Sequence, residues 1–312
     1  MRRAALLALL LLGTACGQAS HVSEEIAFDS GPFHLVGELR LPEGDGPHPV
    51  VLFVHGDGPN NRTSGVTYPP IMERMMRAGY ATFAWDKPGT GESTGQIDRS
   101  RLVDQRARIV MDAVALLGKR PEIDDGRIGL WGISQAGYVM PRVLSQSEKV
   151  SFMIAVSCPG QPGVEQGAFL MSEQARCGGA WDEDVRLLRQ HFSAVEYAAT
   201  YDEYMQHARI LRNSPAFKSL ESLGVRANPQ SEDEWHVPSL EGDYFLDPME
   251  EIARTTIPVL AFFGELDTQA DPHQGAQAYR EALARAGNPG SRVELIPGAD
   301  HNIILSETGC LE

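Results

Sequence analysis

The sequence predicts an α/β fold: a mostly parallel central sheet covered by helices and interrupted by an inserted, mainly helical cap. Three features carry this expectation. Short apolar runs alternate with helix-compatible segments at both ends of the chain, the rhythm of a parallel sheet. One run leads directly into a serine flanked by small residues, Gly132-Ile133-Ser134-Gln135-Ala136-Gly137. Between about Gly160 and Ile252 the rhythm stops for longer than a plain loop would run.

Along the chain, residues 24–28 and 33–41 read as strands joined by the turn Asp29-Ser30-Gly31-Pro32, so a hairpin is expected. Val50-Val51-Leu52-Phe53-Val54 is apolar throughout, as a strand buried on both faces must be. Residues 70–78 read as a helix and residues 81–85 as the next buried strand. Residues 102–117 carry Val103, Ile109, Val110, Val114 and Leu117 near helical spacing. Residues 128–131 and 152–156 read as strands on either side of the serine motif and a helix over residues 138–145. Within the insertion, residues 185–211 read as one or two helices. The aromatics Trp181, Tyr197, Tyr201, Tyr204, Phe217, Trp235, Tyr244 and Phe245 are expected mostly to pack this cap onto the sheet. The rhythm resumes with a strand at 259–263, a helix at 274–286 and a last strand at 292–296. The division is a targeting segment over 1–19, core over 20–159, cap over 160–252 and core again over 253–312.

The opening residues read as an export signal. Arg2-Arg3 precedes the apolar run Ala4 to Leu12, and Gly13-Thr14-Ala15-Cys16 supplies small residues before a cysteine. Lipoprotein processing would make Cys16 a lipidated first residue; ordinary secretion would cleave near Ala15 or Ala19. Either route takes the protein out of the cytoplasm, to the periplasm, the exterior or a lipid-anchored place at the membrane. The run is too short for a spanning helix, so a lipid on Cys16 is the only membrane attachment expected. Export permits a disulfide among Cys16, Cys158, Cys177 and Cys310. Their spacing resembles no zinc site, and one disulfide or none is expected. A formal charge of −15 without basic clusters excludes nucleic acid and anionic membrane as natural partners.

The serine motif is the pattern of a strained strand-to-helix turn that lifts Oγ clear of the backbone. Ser134 needs a base, because a free hydroxyl is a poor nucleophile near neutral pH. His301, in the loop after the last strand, is placed to serve. The base needs an acid to set its tautomer, and Asp267, after the strand at 259–263, fits best. Glu265 and Asp271 are fallbacks; Asp300 is too close in sequence to turn its carboxylate onto His301. The other histidines, His21, His34, His48, His191, His207, His236 and His273, read as surface or cap residues. His55 reads as a brace. An oxyanion hole requires two fixed N–H donors: the backbone of Gln135, and that of Asp57 in the loop His55-Gly56-Asp57-Gly58-Pro59 after the first buried strand.

These residues resemble the α/β-hydrolase superfamily, and most closely its bacterial branch of dienelactone-hydrolase-like and serine-aminopeptidase-like proteins. The resemblance rests on His55-Gly56-Asp57-Gly58-Pro59 with Arg62, Asp86-Lys87-Pro88-Gly89-Thr90-Gly91-Glu92-Ser93, the Ser134 motif, Gly264-Glu265-Leu266-Asp267-Thr268 and Gly298-Ala299-Asp300-His301. It covers about residues 33–160 and 255–305 and leaves the cap unassigned. It implies an α/β-hydrolase fold with the order Ser134, Asp267, His301. Ala136 stands where the motif most often has glycine, and Lys87 where relatives often have arginine. Arg62 is placed to bind a substrate carboxylate or pair with a nearby acid, the latter preferred.

The expectation is an exported serine hydrolase of carboxylic esters that needs no metal or organic cofactor. A peptidase or amidase with the same triad is the alternative, its substrate amine held by Glu232, Asp233 or Glu234. A non-catalytic binding protein on the same scaffold is the alternative of another class. The expected partner is a small ester or a short peptide.

Overall fold

A computed structural model describes residues 21–222 and 245–310. Eight strands form one sheet: β1 (His21–Ser30), β2 (Phe33–Pro42), β3 (His48–Val54), β4 (Ala81–Trp85), β5 (Ile123–Ile133), β6 (Phe152–Val156), β7 (Val259–Gly264) and β8 (Arg292–Ile296). Their order is β1-β2-β4-β3-β5-β6-β7-β8. β1 and β2 form the expected antiparallel hairpin, and β2 meets β4 antiparallel. From β4 to β8 every pairing is parallel.

Alternation along β3 shows why this run is apolar throughout. Val50, Leu52 and Val54 enter the large core, whereas Val51 and Phe53 enter a second cluster with Tyr68, Met72 and Trp131. Successive side chains of a strand point to opposite faces, so a strand with helices on both sides must be apolar at every position. Helices α1 (Tyr68–Arg77), α2 (Leu102–Leu117), α3 (Ala136–Gln146), α8 (Met249–Ile252) and α9 (Pro272–Ala286) cover the sheet. Fully burying each large core side chain contributes roughly 1.5–3 kcal/mol.

Parallel order gathers the carboxyl ends of β3, β5, β6, β7 and β8 at one edge. The loops that leave there carry His55–Gly58, Ser134, Ser157–Pro162, Asp267 and His301. Crevices outside the carboxyl ends of parallel strands are where such sheets hold their ligands.

Between β6 and β7 lie α4 (Gly163–Cys177), α5 (Asp182–Glu196), α6 (Tyr201–Asn213) and α7 (Pro215–Ser222). Their aromatics do not chiefly pin the insertion to the sheet. Phe217 is buried with Leu188, Leu211 and Leu220, and Tyr204 with Ala198 and Ala208, in clusters that belong to these helices alone. Trp181 is 81% exposed. Four amphipathic helices have enough apolar face to build their own small core, and that overrides the expectation drawn from the aromatics. Trp235 and Tyr244, like Glu232, Asp233 and Glu234, lie outside the described residues, as do the expected export signal and Cys16.

Cys177, the last residue of α4, is disulfide-bonded to Cys310. Cys158 is free and buried, and burial pushes its thiol up to about 12, so it is inert as a nucleophile at neutral pH. Among the described residues no helix is long and apolar enough to cross a membrane.

Candidate active site

Ser134 occupies the turn between β5 and α3 with φ at 57°, a left-handed conformation that a non-glycine residue adopts at a cost. The turn is held on both sides: the Ser134 N–H donates to the Val156 carbonyl at 3.0 Å, and its carbonyl accepts from the Gly137 N–H at 2.8 Å. Small neighbours let strand and helix approach. A Cβ on Gly132 would stand 2.6 Å from the Ala136 Cβ, and one on Gly137 would stand 2.6 Å from the Cys158 Cβ. The methyl of Ala136 therefore fits because Gly132 faces it.

His301 and Asp267 are brought together. Nδ1 of His301 lies 2.8 Å from Oδ2 of Asp267, and both residues are buried. The other oxygen of Asp267 accepts from the N–H groups of Gln269 at 2.7 Å and Ala270 at 2.9 Å. This fixes the carboxylate, and the carboxylate fixes the ring, leaving Nε2 as the free nitrogen of the imidazole. The fallback acids are engaged elsewhere. Glu265 accepts from the Gly298 N–H, and Asp271 caps α9 and pairs with Arg189. Asp300 folds its carboxylate onto the N–H groups of Asn302 and Ile304 in its own loop. Ile303, just past His301, packs against the apolar cluster that Ile133 also joins, which ties the histidine loop to the serine turn. Ser134 Oγ and His301 share no hydrogen bond here; such bonds often close only around a substrate.

The loop after β3 meets the same turn. A Cβ on Gly56 would be 3.4 Å from the Ser134 Cβ and 3.3 Å from the Ile133 carbonyl oxygen. Its carbonyls are taken from behind by two buried cations. Lys87 Nζ donates to the Gly56 carbonyl at 3.0 Å and to that of Gly58 at 2.6 Å, while Arg106 donates to the His55 carbonyl and, at 2.5 Å, to Oε1 of Gln135. In a trans peptide the N–H points opposite to the C=O. Holding the Gly56 carbonyl on Lys87 therefore turns the Asp57 N–H the other way. Among the described residues no acceptor takes the N–H of Asp57 or of Gln135. The Asp57 carboxylate accepts from Gln135 Nε2 at 3.0 Å, so its charge is drawn onto a side-chain amide.

Lys87 and Arg106 are the residues that sequence reading missed in this role. Burial lowers Lys87 to about 7, helped by repulsion from Arg106 and opposed by attraction to Asp57; burial lowers Arg106 to about 10. Lys87 serves two carbonyls of this loop from one side chain. Arg106 had no signal beyond its place in a helix, since the contact crosses 51 residues of sequence to His55. Arg62 is committed to structure: its guanidinium pairs with Asp86, Glu25 and Glu92. Among the described residues no three His, Cys, Asp or Glu side chains gather as a metal site.

The arrangement can present a hydroxyl nucleophile, an oriented imidazole and two free N–H groups at one sheet edge. Comparison with known proteins agrees with the fold. A stretch of 119 residues is 33% identical to an uncharacterized 31.7 kDa protein of Escherichia coli and covers 38% of this chain and 40% of that one. Esterase EstD of Thermotoga maritima is 24% identical over 246 residues, 75% of this chain and half of its own. The chain thus spans half or less of the curated relatives it matches. The esterase Pf2001 of Pyrococcus furiosus superposes with a TM-score of 0.58 over 89% of this chain and 83% of its own, at 16% identity, a likeness of fold alone. The model of the alpha/beta hydrolase family matches residues 51–309, spanning the serine turn, Asp267 and His301. The chain belongs to the alpha/beta hydrolase family.

Proposed function

We propose that the protein is an exported serine hydrolase that cleaves carboxylic esters through an acyl-enzyme. One observation carries this reading: a buried His301–Asp267 pair and a strained Ser134 turn leave the same edge of the sheet. Ser134 Oγ attacks the acyl carbon and passes its proton to Nε2 of His301. The N–H groups of Asp57 and Gln135 receive the oxyanion of the tetrahedral intermediate, and Lys87 and Arg106 keep them aimed. His301 then returns the proton to the leaving alcohol. Water repeats the sequence on the acyl-enzyme, releasing the acid and freeing Ser134.

Two features support export: the signal-like opening of the chain, and the Cys177–Cys310 disulfide, a bond that persists in oxidising compartments. The preference for esters rests on the esterase relative.

Wild type should hydrolyse p-nitrophenyl esters of short acids and label with a fluorophosphonate probe. Ser134→Ala should lose turnover by on the order of 10⁴-fold or more and label no longer. Undiminished hydrolysis by Ser134→Ala would sink the assignment. Absent labelling of wild type would instead favour a binding protein. Turnover of aminoacyl arylamides exceeding that of the esters would favour the peptidase.

A further inference from the structure

Half of the buried side-chain polar atoms that lack a hydrogen-bond partner among the described residues fall in one short stretch: Oγ of Ser157, Nε2 and Oε1 of Gln161, Oε2 of Glu165 and Oε1 of Gln166. Each such atom costs about 1–3 kcal/mol of lost hydration. Folded proteins keep few of them, and a cluster asks for a reason. Gln161 is the extreme case, 4% exposed with both ends of its amide unpartnered. Ser157 is fully buried and held at a positive φ of 47°, a second strained serine just past the end of β6, the strand paired with β5.

The stretch joins β6 to α4 and runs from one catalytic loop to the other. At its start, the residue before Ser157 is Val156, whose carbonyl accepts the Ser134 N–H. In its middle, the hydroxyl of Tyr138, on the helix that Ser134 opens, donates to the Gln161 carbonyl at 2.8 Å and fixes the main chain there. At its end, Gln166 Nε2 donates to the carbonyl of Gln269, whose N–H in turn holds the Asp267 carboxylate. The stretch that carries the unpartnered atoms is thus tied at one end to the serine turn and at the other to the acid loop.

We propose that this stretch is a recognition subsite, with Gln161 the specificity-determining residue, for an acyl group bearing a neutral substituent that donates and accepts hydrogen bonds, an amide or a hydroxyl. An unpartnered carboxamide offers two donors and an acceptor, which such a group satisfies together. Residues 157–170 contain no lysine or arginine, and Arg189 is held by Asp271, so a substrate carboxylate finds no counter-charge; the one acid of the stretch, Glu165, is held through Oε1 by the Tyr197 hydroxyl. A purely aliphatic acyl group would leave the polar atoms as costly as before. The subsite rests on the esterase reading above and adds the class of acyl group.

The test compares kcat/KM of wild type and Gln161→Met on p-nitrophenyl butyrate, p-nitrophenyl 3-hydroxybutyrate and the p-nitrophenyl ester of N-acetylglycine, with melting temperature measured beside it. Wild type should prefer at least one polar ester by roughly tenfold. Gln161→Met, of similar length but without hydrogen-bonding groups, should erase that preference chiefly through KM on the polar esters and melt no lower, because an unpartnered amide has been removed. If Gln161→Met does not fold, Gln161→Asn, whose amide is set back by one methylene, must cut the ratio of kcat/KM on the polar esters to that on butyrate. Wild type without preference, or a folded variant that loses equally on all three esters, overturns the subsite alone. A stronger preference for the cationic alanine p-nitrophenyl ester overturns it in favour of amine recognition. Failure of wild type to cleave any ester overturns the esterase reading and the subsite with it.

Discussion

His55 has both ring nitrogens spoken for. Nε2 lies 2.5 Å from the Trp85 carbonyl oxygen, which can only accept, so Nε2 carries the proton and Nδ1 accepts from the Tyr68 hydroxyl at 2.8 Å. A second proton would have to sit on Nδ1, inside a ring of Tyr68 and Trp85. Burial accordingly lowers His55 to about 3, with the nearby Arg106 and Lys87 cations adding to the effect. The sign for stability follows. The unfolded chain takes up this proton below about pH 6.5 and the folded chain only near 3, so stability falls as pH drops through that window. The loss amounts to on the order of 5 kcal/mol over the whole window, at about 1.4 kcal/mol per pH unit inside it. Urea unfolding at pH 7, 6 and 5 should show that slope in wild type and a flatter one in His55→Gln; equal slopes would remove His55 as the cause. The bracing role of His55 was legible in the sequence, because a histidine opening this loop follows a buried strand. The Trp85 carbonyl that fixes its tautomer was not, since only the pairing of distant strands brings it there.

At the scale of elements, β5, the serine turn and α3 act as one device. Its strand supplies Gly132, its helix supplies Ala136, and the two meet because neither has a larger side chain. Gly132→Ala places a Cβ 2.6 Å from that of Ala136 and 2.8 Å from the Met140 sulfur. Such overpacking costs about 1–3 kcal/mol and must shift strand against helix. Turnover should fall with it, since Ser134 sits at the junction and small misplacements are costly in catalysis. The double variant Gly132→Ala/Ala136→Gly returns the space and should recover most of both losses, as measured by denaturation and ester hydrolysis; strictly additive losses would show that the contact is not the cause. Apolar runs made most strands readable, and residues 102–117 form α2 with the expected bounds. β5 starts at Ile123, well before the run at 128–131 that announced it, because Asp124, Asp125 and Gly126 extend the strand without an apolar signal. The pairing of Asp267 with His301 was equally legible. The cations behind the oxyanion loop and the unpartnered stretch at 157–166 were not, because both depend on contacts between distant elements.

Among the described residues the apolar clusters fall into two groups, larger ones on the two faces of the sheet and smaller ones within α4–α7. Among the described residues, polar contacts bridge the two groups at the site through Gln166 to Gln269 and Arg189 to Asp271. The Cys177–Cys310 disulfide adds a covalent tie across 133 residues of sequence, from the end of α4 to the tail whose Gly309 carbonyl accepts from Thr268, the neighbour of Asp267. Cross-linking so long a loop removes conformations from the unfolded chain worth about 2–5 kcal/mol. The tie spans the insertion and leaves β3 to β6 outside its loop's far end, so its loss should be felt unevenly. In the double variant Cys177→Ser/Cys310→Ser, amide hydrogen exchange should quicken first in α4–α7 and in the loop at 265–271, while β3, β5 and β6 keep most of their protection. Ester turnover should drop in parallel, because the acid loop is what the tail and α4 hold. Hydrogen exchange resolved by peptide checks this directly: uniform acceleration across sheet and cap would mean a single cooperative unit, and unchanged exchange would mean that the noncovalent contacts alone seat the cap.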